Sequence, residues 1–251
     1  MRHPPRCLIA ACLFAGSLAV ACGGNASHHA SLDAGADATA PSVDEAAEAP
    51  AAADVSADAA EVAPPTPRCQ APYTFADPVL DAAMHMAAGV TGPLGDADLA
   101  RIHTLTIPDG RLQSLVGLDC ATQLSRLELV APTMISDLSP LASMTNLISV
   151  ILWGCAGPID VTPLAHLTNL QVIELEQNCG VSDLTPLFGL DQIQWFDFEF
   201  NRITDLGQFL RFPKLAHLYL AGNPIDCATQ SANYHALIDR HVEIVGFGCW
   251  P

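Results

Sequence analysis

Lysine is almost missing: Lys214 is the only one in 251 residues. That excludes a P-loop and a Ser-x-x-Lys nucleophile pair, which both need the amine. Basic charge as a whole is scarce, with 10 Lys and Arg against 27 Asp and Glu and a net charge of −17. A nucleic-acid surface is excluded on that ground, because such a surface needs cations to replace counterions along the phosphates. Aromatic residues make up only 6% of the chain. No apolar stretch reaches the ~20 residues of a membrane span. No Gly-x-Ser-x-Gly, His-Glu-x-x-His or Gly-x-Gly-x-x-Gly occurs, so the common nucleophile-elbow, zinc-protease and dinucleotide signatures are missing too. Cysteine, in contrast, is plentiful. Nine are too many for a typical reduced cytosolic protein and point outside the cytoplasm.

The first 21 residues read as a signal peptide. Arg2, His3 and Arg6 form a basic start, and Cys7 to Ala21 run apolar for 15 residues. Ala19-Val20-Ala21 supply the small residues that cleavage requires, and Cys22 follows. The stretch Leu18-Ala19-Val20-Ala21-Cys22 resembles a bacterial lipobox, although Ala19 stands where such sequences more often have leucine. The resemblance implies that Cys22 is lipid-modified and becomes the new N-terminus. Ordinary secretion, with an Ala-x-Ala cut at the same place, is the alternative. Gly23-Gly24 lack the Asp that resembles an inner-membrane retention signal, which favours the outer membrane or cell surface. Residues 22–67 then form a tether. Its 16 alanines, 5 prolines and 8 acids, with no Lys or Arg, offer little apolar bulk to bury and a charge that repels itself. His28 and His29 in this segment read as solvated filler rather than metal ligands.

The remainder is repetitive. The pattern Leu-x-x-Leu-x-Leu occurs as Ile102-x-x-Leu105-x-Ile107, Leu124-x-x-Leu127-x-Leu129 and Leu147-x-x-Val150-x-Leu152. It continues as Leu170-x-x-Ile173-x-Leu175, Ile193-x-x-Phe196-x-Phe198 and Leu215-x-x-Leu218-x-Leu220. The offsets are 22, 23, 23, 23 and 22 residues. Each copy ends in a period-two alternation, which predicts a short strand, and stacked copies bury a continuous core that no single copy can. Ser139-Pro140-Leu141, Thr162-Pro163-Leu164 and Thr185-Pro186-Leu187 repeat at the same period. Ser or Thr before Pro predicts a short helical turn capped by the hydroxyl. Asn178, Asn201 and Asn223 fall eight residues into their copies, where a buried amide can satisfy backbone groups leaving the strand. Gly110, Pro132 and Cys155 fill that slot in the earlier copies.

Segments such as Ile135-Ser136-Asp137-Leu138-Ser139-Pro140-Leu141 and Leu164-Ala165-His166-Leu167-Thr168-Asn169-Leu170 resemble bacterial leucine-rich repeats of the internalin type. The resemblance covers roughly residues 73–225. It implies an α/β right-handed solenoid with a concave parallel sheet and convex 3₁₀ turns, a helical N-terminal cap, and protein binding on the concave face without chemistry. Residues 68–101 form the N-terminal cap, 102–225 the repeats and 226–251 the C-terminal cap. In the first cap, Asp77-Pro78 starts a helix and Gly89 stops it, with Val79, Leu80, Ala83, Met86 and Ala87 as its apolar face. The second cap reads as a helix around 228–239 and a strand around 241–245. Past Cys22 the cysteine count is even. The fold favours Cys69 with Cys120, Cys155 with Cys179, and Cys227 with Cys249, with free buried thiols as the alternative.

Two charged arrangements bear on function. Asp137, Asp160, Asp183 and Asp205 recur at one repeat position. A calcium column is conceivable there, but each Asp accepting hydrogen bonds from its own turn is the favoured reading. On the concave side, the third, fifth and seventh residues of each copy face away from the core. Glu174, Glu176, Asp197 and Glu199 then form a square of carboxylates, flanked by Trp153 and Trp195 and bordered by Tyr219. The reading is a non-catalytic, envelope-anchored module that binds a basic protein there, with no cofactor and no resident metal. Calcium bridging the carboxylates is the lesser alternative. A structural spacer without a ligand, and a glycan-binding or glycan-hydrolysing surface, are the competing functions.

Overall fold

The computed structural model describes residues 69–130, 134–155, 157–177, 179–246 and 248. The expected leader, Cys22 and the tether lie outside them, as do Pro132, Asn178 and Cys249.

The alternation in each copy folds as expected. Strands β1 (Thr104–Ile107), β2 (Arg126–Leu129), β3 (Ser149–Trp153), β4 (Val172–Glu176), β5 (Trp195–Asp197) and β6 (His217–Tyr219) pair in parallel in sequence order. β7 (Glu243–Val245) completes a seven-stranded sheet. Equivalent repeat positions are in register: Leu105, Leu127, Val150, Ile173, Phe196, Leu218 and Ile244 stand side by side. The inward residues of every copy are at most 5% exposed, and they form one core running the length of the coil. The chain is a right-handed leucine-rich-repeat solenoid, with the sheet on one side and 3₁₀ turns at Leu118–Cys120, Ser139–Leu141, Thr162–Leu164, Thr185–Leu187 and Leu206–Arg211 on the other.

The turns form, but not by hydroxyl capping. Asp137, Asp160 and Asp183 each accept the backbone N–H of the following Ser139, Thr162 or Thr185 at 2.8 Å, and Asp205 accepts that of Gly207 at 2.7 Å. A carboxylate two residues ahead reaches the N–H more readily than the hydroxyl, which at Ser139 instead donates to Asp137. Bonds from backbone and hydroxyl hold Asp137, Asp160 and Asp183 below the usual carboxylate range. These carboxylates are therefore occupied by their own turns rather than arrayed for a cation.

Asparagines join the copies. Asn201 accepts from Val181 N–H at 3.0 Å and donates to the carbonyl of Leu175. Asn223 does the same for Ile203 at 2.9 Å and Phe198 at 2.7 Å. A second column, which the periodicity alone did not single out, lies just before the strands: Asn146 and Asn169 donate to Thr122 and Thr145 at 2.8 Å.

The N-terminal cap contains helix α1 (Pro78–Ala88) and the short helix α2 (Asp96–Leu99). Gly89 ends α1 in the left-handed conformation, at φ 70°. The buried face of α1 is Leu80 and Met84, one turn apart, with Val79 and Ala83 packed alongside. Met86, expected inward, is 82% exposed, and Ala87 is exposed as well. The helix is rotated so that Met84 takes the place expected for Met86. Asp77 caps α1 through Val79 and Leu80, while its other oxygen accepts from Gln113 and Ser114 at 2.7 and 3.0 Å, so one side chain fastens the cap to the first repeat. Cys69 and Cys120 form a disulfide that ties the same two regions. At the far end, helix α3 (Cys227–Asp239) and β7 close the coil. Cys227 is disulfide-bonded; its expected partner Cys249 lies outside the described residues.

Candidate functional site

The concave face is built by side chains between the inward ones. Glu174 pairs directly with Asp197, and Trp153 with Glu176, across neighbouring strands. In-register neighbours on one face have Cβ atoms ~5 Å apart, so the carboxylates crowd one another. β5 ends at Asp197, but Glu199 stays beside β4, because its carbonyl accepts the N–H of Gln177 at 3.0 Å. Trp195 stacks on Tyr219, with ring centroids 5.0 Å apart, and leans on His217 at 4.7 Å. The sequence-predicted set is thus gathered on β3 to β6.

The face is not the open square that alternation suggests. Asp197 is only 9% exposed, and Ser149 and Ile151 on β3 are also buried, although all three occupy outward positions. The Ser149 hydroxyl and the Trp195 indole N–H are buried with no hydrogen-bond partner among the described residues.

Burial has an electrostatic consequence. Burial first, then the charges of Glu176, Glu199 and Glu174, pushes the Asp197 carboxyl up to about 8, against one opposing hydrogen bond from Glu199 N–H. Burial also raises Glu199. Tyr219 is raised by burial and by the charges of Glu243, Asp197, Glu174 and Glu199. Burial and the neighbouring charges favour the protonated form of Asp197 and lower the charge of the cluster below what its composition implies. Two polar pairs border the face: an ion pair of Arg126 with Glu128 at 3.6 Å, and a hydrogen bond between the His217 ring and Glu243 at 3.0 Å.

A protonated carboxyl beside ionised ones is a feature of glycosidases, but a general acid must touch the leaving oxygen. Asp197 is buried, and both ring partners of Trp195 belong to the protein. Among the described residues, one grouping of potential metal ligands has its donor atoms within 4.8 Å of one another: Cys69, Asp119 and Cys120. Two of its three donors are consumed by the disulfide. The concave carboxylates form no such group.

One exposed residue beside this face was missed. Phe200 follows Glu199 and is 51% exposed, with a left-handed backbone at φ 56°. The signal was present in the repeats, since glycine holds the same place in two other copies, at Gly154 and Gly222.

No family model matches the sequence, and no curated relative does either. Solved structures do. Internalin C2 of Listeria monocytogenes is similar at 26% identity and a TM-score of 0.51, over 68% of this chain and 83% of that one. A second Listeria monocytogenes internalin is 21% identical with a TM-score of 0.51, over 68% of this chain and 55% of the other. A leucine-rich-repeat protein of Leptospira interrogans is 19% identical with a TM-score of 0.52, over 61% of this chain and 39% of that one. The architecture built above from the repeats is thus that of the internalin-type leucine-rich-repeat proteins.

Proposed function

We propose that this chain is a non-catalytic binding module of the bacterial cell envelope. It takes a basic protein segment on the acidic end of its concave face. The observation that carries the reading is the in-register apposition of Glu174 and Asp197, with Glu176 and Glu199 alongside and Trp153, Trp195 and Tyr219 at the borders. No feature of the fold requires acids there, and crowding Glu174, Glu176 and Glu199 around the buried Asp197 costs stability, through repulsion among the glutamates and through the proton their charge holds on Asp197. A cationic segment offsets that repulsion, and the aromatics supply contact area. The likeness to internalins supports a binding role, and the open sheet argues against a reaction site. The sequence of the leader supports display: on this reading Cys22 carries lipid and residues 22–67 tether the repeats to the outer membrane or cell surface.

Glu174→Gln combined with Glu176→Gln tests the face. Binding of a lysine-rich peptide should weaken by about tenfold or more and should fall with added salt. A calcium-dependent rise in melting temperature, reversed by chelation, indicates a bridging cation instead. If the double variant binds the peptide as wild type does, the face is a solvated surface and the spacer reading stands. For the anchor, Cys22→Ser should move the protein out of the membrane fraction; unchanged retention refutes lipidation.

A further inference from the structure

Each described copy from the third onward turns a left-handed corner one residue after its last concave position. Gly154, Gln177, Phe200 and Gly222 sit there with φ of 77°, 59°, 56° and 71°. Glycine is the unstrained residue for such a corner, since any Cβ crowds the backbone. Phe200 is a bulky aromatic in that conformation, a genuine outlier for an L-residue. Its ring lies against Gly222, where a Cβ would come within 2.5 Å of Phe200 Cδ1. The ring is seated on a glycine, yet the side chain remains half exposed. The fold does not require it, because Gly and Gln serve the same corner in neighbouring copies. A strained backbone that presents an exposed aromatic points to use rather than to packing.

Position indicates the use. Phe200 is the residue after Glu199, in the copy that holds Trp195 and Asp197. It stands at the C-terminal rim of the sheet, beside the acidic end. We propose that Phe200 is the rim anchor for the partner: it receives an aliphatic or aromatic side chain of an extended basic segment whose Lys or Arg lies over Glu199 and Glu176. Successive residues of an extended segment advance ~3.4 Å, so a cation and an apolar side chain one or two residues apart span both places. This inference rests on the basic-partner reading and adds a specificity: basic charge alone binds weakly, and basic charge next to an apolar side chain binds well.

Two synthetic peptides of equal length and charge separate the two ideas, one alternating Lys and Gly, the other with Leu in place of one central Gly. Each is titrated into the purified protein and into Phe200→Gly, and melting temperatures are recorded. The Leu peptide should bind wild type about tenfold more tightly. Phe200→Gly should lose that preference, keep its affinity for the Lys-Gly peptide, and melt within about 3 °C of wild type or above it. A preference that survives in Phe200→Gly, or is missing in wild type while the Lys-Gly peptide binds, overturns the anchor and leaves the basic-partner reading standing. A fall in melting temperature beyond about 5 °C makes the ring part of the fold and also overturns it. If neither peptide binds wild type, both readings fall.

Discussion

Replacing Asp197 with Asn should stabilise the protein, and more so as pH rises. Asp197 is 9% exposed and lies among Glu174, Glu176 and Glu199, and its carboxyl is pushed up to about 8 from an ordinary 3.8. A carboxyl raised in this way holds its proton in the folded state at pH values where the unfolded chain has lost it. The folded state therefore binds more protons between about pH 4 and pH 8, and stability falls across that window as pH rises. At ~1.4 kcal/mol per pH unit, the raised value sets an upper bound of ~6 kcal/mol. The three glutamates are half-buried, and solvent screens their part, so a loss of ~2–4 kcal/mol is expected. The Asn amide keeps the shape and still accepts the Glu199 N–H, so the two proteins should agree within ~1 kcal/mol near pH 4. Urea melts of both at pH 4, 6, 8 and 9 measure the difference, and titration of other groups cancels in the comparison. A stability difference flat to within ~0.5 kcal/mol across that range would refute the reasoning, since Asp197 would then ionise as an ordinary carboxylate.

Three further outcomes follow from the packing. Asp77→Ala should cost ~2–4 kcal/mol in urea melts, because a carboxylate only 7% exposed serves four backbone N–H groups that are left without it. Burial opposes those bonds, but they win and lower the Asp77 pKa; the charge-dependent part of its contribution is present above the unfolded value and is lost as pH falls through the folded one, so the gap between wild type and Asp77→Ala should narrow in acid. Ile173→Ala, at a core position fully buried between two copies, should cost ~2–5 kcal/mol, and a change below ~0.5 kcal/mol would contradict the strand register. Gly222→Ala should be destabilising in wild type because the new methyl meets the Phe200 ring, whereas in a Phe200→Gly background only the left-handed backbone penalty of ~1 kcal/mol remains; equal costs in both backgrounds would show that the ring is not seated there.

The repeat was the most legible part of the sequence. Six copies with a two-residue alternation leave one way for Leu127, Val150 and Ile173 to face, and the register follows from that. Helix phase was less legible. In α1 the apolar residues Val79, Leu80, Ala83, Met84, Met86 and Ala87 cover more than one face, and only the β1 side of the coil decides that Met84 goes in and Met86 out. Alternation likewise assigns Asp197 to the concave side but says nothing about its burial, which depends on how the neighbouring side chains pack. The capping role of Asp137, Asp160 and Asp183 was readable from spacing, because an Asp two residues before a turn N–H is within reach of it. Phe200 was readable only by aligning corners, with Gly154 and Gly222 marking where the backbone turns left-handed.

The rim beside the acidic end is fixed by two different devices, and the difference follows from one slot. Asn201 and Asn223 fill that slot in the last two copies and fasten each to the copy before it through amide hydrogen bonds. Cys155 fills the same slot in the third copy and cannot offer those bonds. It joins Cys179 of the fourth copy in a disulfide, so the tie runs forward and is covalent. Gly154, between Trp153 and Cys155, donates its N–H to the carbonyl of Glu176 at 3.0 Å. Trp153 and Glu176 are thus held together by the strand pair, that hydrogen bond and the disulfide beyond it. On the other flank, Asn201 holds the corner that carries Glu199 and Phe200, through its bonds to Glu199 and to the fourth copy. Side chains on a frame tied at both flanks lose little backbone freedom when a partner arrives, which is the condition under which a few anchors suffice for binding.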